Sequence, residues 1–412
     1  MLSRHQHLAS SGQMPSNAER PAKVTVVVYL PASYTGSGFA ESCLQIITQF
    51  RHSDIRVILV VARLRKPVDP NIEVVQALPF VFRHTPWKFT FGRQRYMGRA
   101  LRRTLKKQDP VKTIVYFWPS PEITLVEDVR RSGFIAVREM INSPMETARL
   151  ILERAYHAQG LTPTRIIDEE RAAQETAELK SYDRIFASNP EVEATLSQLG
   201  IQRDRIMPTT FGWSPQRLRP PQAEAPPTTT GEEPTTRPLR VLFLGLLTVR
   251  KGLPQLLAAW EAAGIDGELI LAGAAEPALA NALAKASRTG SIKCVGPVSN
   301  PSKLYESSDV FVLPTLEEGG PQVTYEAAAF GLPIVTTPMG AARLVVDGRS
   351  GLIVPPFDVE RLTTALQLVA SEPSLRQAMG VEAQRMSADF TYESVGAGRA
   401  GLLLSALDRG HF

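Results

Sequence analysis

Glu318 and Glu326 stand eight positions apart in the run Glu317-Glu318-Gly319-Gly320-Pro321-Gln322-Val323-Thr324-Tyr325-Glu326. Pro321 suits the first turn of a helix, and Gly331 with Pro333 suits its end. A glycine loop therefore feeds a short helix, and the free N–H groups and positive dipole end near 319–323 can hold an anion. Glu318 falls just before that point and Glu326 one to two turns inside. Two carboxylates beside an anion site make sense if the ligand also brings hydroxyls or a developing positive charge. A nucleotide sugar brings both. Its diphosphate suits the helix end, its hydroxyls can donate to carboxylates, and its anomeric carbon becomes oxocarbenium-like during transfer. Without such a ligand the two glutamates are ordinary surface acids.

Two further segments offer complementary chemistry. Arg250-Lys251-Gly252 places two cations at a helix start, where they either cap the helix in solvent or hold a diphosphate and stabilise it as it leaves. Gly36-Ser37-Gly38-Phe39 is either a plain strand-to-helix loop or a place where backbone approaches a phosphate closely. Other phosphate chemistries lack their signatures. No GxGxxG directly follows the first strand, and there is neither a GxxxxGK[ST] loop nor a DxD pair. The six histidines form no HExxH, which disfavours a zinc hydrolase.

The elements that must position these residues read as two α/β halves. Apolar runs at Val24–Leu30, Arg56–Ala62, Thr113–Phe117, Phe134–Arg138 and Arg184–Ala187 precede a Pro/Thr-rich stretch. Runs at Arg240–Leu244, Glu268–Leu271, Ile292–Val295, Val310–Leu313 and Ile334–Thr337 follow it. They are apolar throughout rather than alternating, as strands covered on both faces are. Helical patterns separate them, so each half is expected to be a doubly wound parallel sheet, with a ligand cleft between the carboxyl ends of the strands. The expected domains are a disordered tail (1–22), an N-terminal acceptor-side domain (23–215), a linker (216–238), a C-terminal donor-binding domain (239–390) and a last segment (391–412). Six prolines between 219 and 238 deny that linker helix and sheet.

The context EGGPQVTYEAAAFGLPIV around Glu318 and Glu326 resembles the retaining group 1 glycosyltransferases of family four, which have the GT-B fold. Asp347-Gly348-Arg349-Ser350-Gly351-Leu352-Ile353-Val354-Pro355 and FLGLLTVRKGLPQLLAAW (243–260) match it too. So do Ala272-Gly273, Asp183–Ser188, Gly200-Ile201 and Phe211-Gly212. The similarity runs well over about 180–395 and only by pattern over 23–180. It implies a GT-B fold of two Rossmann-like domains facing across a cleft, with the last helix packing back on the N-terminal domain. It implies that Glu318 lies by the transferred sugar, as the candidate catalytic residue, and that Glu326 accepts from ribose hydroxyls. Donor binding would then involve Gly36, Gly38, Arg250, Lys251, Glu318, Gly319, Gly320, Pro321 and Glu326. No metal and no cofactor are expected beyond the nucleoside-diphosphate sugar itself.

Two departures from the family stand out. Gly245 is followed by Leu246 where an arginine is common, so Arg250 is the candidate to take that role. Many relatives carry a histidine after the strand corresponding to Phe134–Arg138, but here the stretch is Arg138-Glu139-Met140-Ile141-Asn142-Ser143-Pro144. That keeps a non-catalytic sugar-nucleotide-binding protein open, as well as a GT-B epimerase or phosphorylase.

Charge is uneven along the 412 residues. Residues 1–214 carry a net +8 and residues 215–412 a net −3. Arg93, Arg95, Arg99, Arg102, Arg103, Lys106 and Lys107 share one acid-free stretch, with Tyr96, Met97, Ala100, Leu101 and Leu105 interleaved at helical spacing. This is either a solvated face over a core stripe or a patch for an anionic membrane surface. No nucleic-acid recognition module accompanies the charge. Cys43 and Cys294 both sit in apolar segments, which suits a reducing compartment. No apolar run reaches membrane-spanning length and the first residues show no signal-peptide core. The expectation is a cytoplasmic enzyme, peripheral on the inner membrane face, acting on a glycan or lipid-linked acceptor in envelope or exopolysaccharide synthesis.

Overall fold

The computed structural model describes residues 24–52, 54–82, 93–119, 121–163, 166–220 and 237–409. The expected tail (1–22), most of the expected linker (221–236), His84 and Trp87 lie outside the described residues, as does the side chain of Arg93.

Seven parallel strands form the first sheet: β1 (Val24–Tyr34), β2 (Ile55–Leu64), β3 (Glu73–Gln76), β4 (Thr113–Phe117), β5 (Ile135–Met140), β6 (Arg184–Ala187) and β7 (Ile206–Pro208). Their order is β3-β2-β1-β4-β5-β6-β7. Six more form the second sheet: β8 (Leu239–Leu244), β9 (Gly267–Ala272), β10 (Ile292–Gly296), β11 (Val310–Leu313), β12 (Ile334–Thr336) and β13 (Gly351–Ile353). Their order is β10-β9-β8-β11-β12-β13. In each sheet the order reverses at the first strand, between β1 and β4 and between β8 and β11. Ligands bind at the carboxyl ends of strands beside such a reversal.

Helices cover both faces of each sheet. In the first half they are α1 (Gly38–Thr48), α2 (Arg93–Leu105), α3 (Ile123–Arg131), α4 (Met145–Ala158), α5 (Glu169–Lys180) and α6 (Pro190–Gln198). The second half has α7 (Leu253–Ala263), α8 (Ala280–Ser287), α9 (Ser302–Glu306), α10 (Gln322–Ala329), α11 (Pro338–Ala341), α12 (Val359–Ser371), α13 (Pro373–Ser387) and α14 (Tyr392–Arg409). Alternate residues of β1 enter separate cores. Val26, Val28 and Leu30 pack with α1 and α14, while Val27 and Tyr29 pack with α2 and α3. From Val26 to Leu30 every residue is buried and apolar or aromatic because both faces are covered.

The last helix crosses back to the first half. Arg399 of α14 is fully buried, ion-paired with Glu139 of β5, and donates to the Tyr116 hydroxyl at 2.8 Å. Its guanidinium also lies over the rings of Phe186 and Phe211.

One local expectation is corrected. The linker does not begin at 216, because Leu218 is buried in the C-terminal core, so the chain is packed at least that far. Cys294 lies on the edge strand β10 and is exposed, whereas Cys43 of α1 is buried.

Candidate active site

The site forms where the loops after β8 and β11, at the second sheet's reversal, meet the turns after β5 and β6 of the first. Arg250 and Lys251 follow β8 in a single 3-10 turn, capped by the Thr248 hydroxyl. Gly252 closes that turn in the left-handed region, at φ +73°, and a Cβ there would strike the Pro314 carbonyl. Glycine thus lets the turn lie flat on the loop after β11, where the Leu316 N–H donates to the Arg250 carbonyl at 2.9 Å. This packing puts both cations against the glutamates.

Arg250 Nη1 donates to Glu317 at 3.0 Å and lies 3.5 Å from Glu318. The Lys251 ammonium is ion-paired with Glu318. Burial raises the Glu318 carboxyl, but Lys251 and Arg250 outweigh it and the net shift is downward. Burial pushes the Lys251 ammonium down, opposed by Glu318. For Arg250 the two acids overcome burial and the net shift is upward. Buried ion pairs contribute little net stability, because desolvation offsets attraction. A cluster of this kind is better explained as a charged site than as a fold-stabilising device.

α10 begins at Gln322 with Pro321 at its N-cap. Glu326 points from it into the C-terminal domain, 7% exposed, and accepts from the Tyr305 hydroxyl at 2.9 Å. Among the described residues it has no ion pair. Burial pushes its carboxyl above the ordinary range, while Tyr305 and the more distant Arg217 pull the other way.

The N-terminal domain closes directly over these groups. The Ser143 N–H donates to Glu317 at 2.9 Å and the Ser143 hydroxyl to the Glu318 carbonyl at 3.3 Å. Ser188 donates to the Gly319 carbonyl at 2.9 Å, and Gln322 to Ser42 of α1 at 2.6 Å. A Cβ on Gly319 would collide with the Ile141 carbonyl, and one on Gly320 with the Phe211 ring. The glycine pair therefore faces the other domain, Gly319 its backbone and Gly320 the Phe211 ring, rather than an open cleft. On the flank, Asn189 donates to the Met339 carbonyl at 2.7 Å and Arg343 to that of Thr209 at 2.6 Å.

The structure brings Arg250, Lys251, Glu318, Gly319, Gly320 and Pro321 together and sets Glu326 about one turn along α10. Gly36 and Gly38 lie at the N-terminus of α1, the helix whose Ser42 meets Gln322. The turn where relatives carry histidine is the one that meets Glu317 and Glu318. Its Glu139 is committed to Arg399, and its exposed polar side chain is Asn142. Sequence reasoning missed Glu317, which is 2% exposed and bridges Arg250 to the facing domain. Its only sequence signal is adjacency to Glu318.

The basic helix α2 presents Arg95, Arg99, Arg102 and Arg103 to solvent, with Lys106 and Lys107 exposed in the turn after it, and buries Met97, Leu101 and Leu105. Arg102 pairs with Asp128 at 2.7 Å. None of these residues reaches the cluster at Glu318. Among the described residues no helix is long and apolar enough to cross a membrane.

Residues 238–372 match the family model described as glycosyl transferases group 1. A D-inositol 3-phosphate glycosyltransferase of Rhodococcus opacus is 30% identical over 264 residues, covering 58% of this chain and 56% of the relative. The chain spans about half the length of the first curated relatives it matches, 46% and 56%. Among solved structures, the sucrose-phosphate synthase of Thermosynechococcus elongatus superposes with a TM-score of 0.71 at 18% identity, over 94% of this chain and 99% of that one. WaaG, a glycosyltransferase involved in lipopolysaccharide biosynthesis, does so with a TM-score of 0.61 at 17% identity, over 92% and 99%. Residues 238–372 thus carry the match to the group 1 glycosyl transferases, and the chain as a whole has the two-domain GT-B fold of its structural neighbours.

Proposed function

We propose that the protein is a retaining, metal-independent glycosyltransferase that moves a sugar from a nucleoside-diphosphate sugar to a glycan or lipid-linked acceptor. The observation that carries this reading is the cluster of Arg250, Lys251 and Glu318, which the N-terminal domain covers through Ser143 and Ser188. The donor diphosphate takes the two cations in place of the Glu318 carboxylate, which is then free to face the sugar. As the glycosidic bond breaks, charge grows on the leaving diphosphate. Fixed cations in a water-poor site stabilise that charge most where it develops. Glu326 holds the ribose hydroxyls. Retention of configuration rests on the family likeness alone. An envelope role is supported by the name of WaaG and by that of a Staphylococcus aureus capsular polysaccharide glycosyltransferase, 27% identical over 147 residues. The exposed bases of α2 suit reversible attachment to an anionic membrane.

A second reading, a non-catalytic sugar-nucleotide binder, is favoured by the histidine-free turn Arg138–Pro144. Single-turnover analysis with labelled donor and candidate glycan acceptors separates the two. Label transferred to acceptor supports the enzyme, and tight donor binding without transfer or hydrolysis supports the binder.

A further inference from the structure

The donor cluster uses the reversal of the second sheet, and the reversal of the first, between β1 and β4, carries a cavity of its own. Tyr29 of β1 pairs in register with Phe117, the last residue of β4, so it stands at the carboxyl end of that strand. Its side chain is fully buried on the face that α2 and α3 cover. Beside it, between the two helices, lies a cavity of about 240 Å³. Gly98, in the interior of α2, keeps that space open. Glycine weakens a helix at such a position. A Cβ there would sit 3.2 Å from Arg102 Nη1 and 3.8 Å from a Leu125 methyl, so a larger side chain would enter the cavity.

The lining is polar and mostly cationic. Arg95, Arg99 and Arg102 line the cavity from one stripe of α2, four and then three residues apart. Arg102 is held by Asp128 at 2.7 Å, and among the described residues Arg95 and Arg99 have no ion pair. Glu122, the N-cap residue of α3, makes no side-chain capping bond and lines the cavity instead. The Tyr29 hydroxyl donates to Gln94 at 3.5 Å, the long limit of a hydrogen bond, so a ligand oxygen can replace Gln94 as its acceptor. Burial raises the Tyr29 pKa, Glu122 raises it further and Arg102 lowers it, so both charges act at the phenol. Guanidiniums that share a cavity bind phosphate through paired N–H donors. The carboxylate, amide and phenol beside them suit hydroxyls.

The cavity is separate from the donor cluster. Its walls come from β1, α2 and α3, whereas the contacts with Glu317, Glu318 and Gly319 come from the turns after β5 and β6. The outward bases Arg103, Lys106 and Lys107 lie outside it. We propose that this cavity binds a phosphate group borne on a hydroxylated carbon skeleton, with Arg95, Arg99 and Arg102 taking the phosphate and Glu122 and Gln94 the hydroxyls, and that this phosphate belongs to the sugar acceptor. The assignment to an acceptor rests on the glycosyl-transfer reading, while the site itself rests on the geometry alone. Its place at the first sheet's reversal is where doubly wound sheets take their ligands.

Calorimetric titration of the full chain with inorganic phosphate and with glycerol 3-phosphate tests this. Glycerol 3-phosphate should bind saturably and more tightly than phosphate, and Lys251→Gln should hold it as the wild type does. Arg95→Gln should weaken it about tenfold, as loss of one charged hydrogen bond does, and Gly98→Leu should abolish binding by filling the cavity. Arg95 is exposed, so its variant reports even if Gly98→Leu fails to fold. Glu122→Gln should narrow the advantage of glycerol 3-phosphate over phosphate, which a merely structural Glu122 would leave unchanged. Binding that is absent, or unchanged in Arg95→Gln, overturns the site, and binding lost in Lys251→Gln instead assigns it to the donor cations. Phosphatidylglycerol vesicles identify the source of the phosphate. Attachment lost in folded Gly98→Leu supports a lipid-borne group, and attachment retained by a Gly98→Leu that has lost glycerol 3-phosphate supports a soluble one. If no nucleoside-diphosphate sugar binds while glycerol 3-phosphate still binds through Arg95, the site stands and the acceptor assignment is overturned.

Discussion

Replacing Glu326 by glutamine should make the unliganded protein more stable and the liganded protein weaker. The wild-type carboxyl is 7% exposed, has the Tyr305 hydroxyl at 2.9 Å as its hydrogen bond, and forms no ion pair among the described residues. Burying a carboxylate without a paired cation is unfavourable, which is why its pKa is raised. A raised folded pKa means that the folded chain holds the proton more tightly than the unfolded one. The carboxyl's stabilising contribution is therefore present below the ordinary glutamate range and lost as pH rises through the raised value. At neutral pH the wild type carries that cost. Glutamine keeps an acceptor for Tyr305 and removes the charge, so stability should rise by about 0.5–2 kcal/mol, in the range of site-relaxing substitutions. For a domain of this size that is a melting shift of a few degrees. Donor affinity should fall roughly 10- to 150-fold, since hydrogen bonds to a charged acceptor contribute ~1.5–3 kcal/mol. Scanning calorimetry across pH, paired with donor titration, reads both effects. A variant that melts lower at neutral pH, or that keeps the wild-type slope of stability with pH, refutes the reasoning.

Arg399→Met removes one partner of a fully buried pair and should destabilise the first half by about 3–5 kcal/mol in urea denaturation, with much of that recovered when Glu139→Leu is added. Activity should survive EDTA, because Arg250 and Lys251 supply the positive field at the diphosphate. Loss of turnover on chelation, restored by Mg²⁺ or Mn²⁺, would contradict this. The bases of α2 should bind phosphatidylglycerol vesicles weakly at low salt and release them at high salt, given a Debye length of about 8 Å at physiological ionic strength. Co-sedimentation of wild type against Arg99→Gln, Arg103→Gln and Lys106→Gln reads this directly.

What the sequence made legible was whatever depends on local pattern. The ten apolar runs all became strands because covered strands need no partner information to be recognised. The three missed strands, β3, β7 and β13, are short edges whose apolar content is too small to signal. Pro321 and Gly331 marked the ends of α10 through backbone chemistry that does not depend on context. Glu317 and Ser143 could not be read, because their meeting joins residues 174 positions apart across two domains. Arg399 and Glu139 look like surface charges in sequence, and only the crossing of α14 onto β5 buries them.

Titration of the purified chain with a panel of nucleoside-diphosphate sugars, repeated on Glu326→Ala and Lys251→Gln, tests the central claim most directly. The account predicts that one donor binds wild type and raises its melting midpoint, as any native-state ligand does, and that both variants lose that shift while keeping their circular dichroism. A panel in which no nucleoside-diphosphate sugar binds, or in which a bound donor is held equally well by both folded variants, contradicts it.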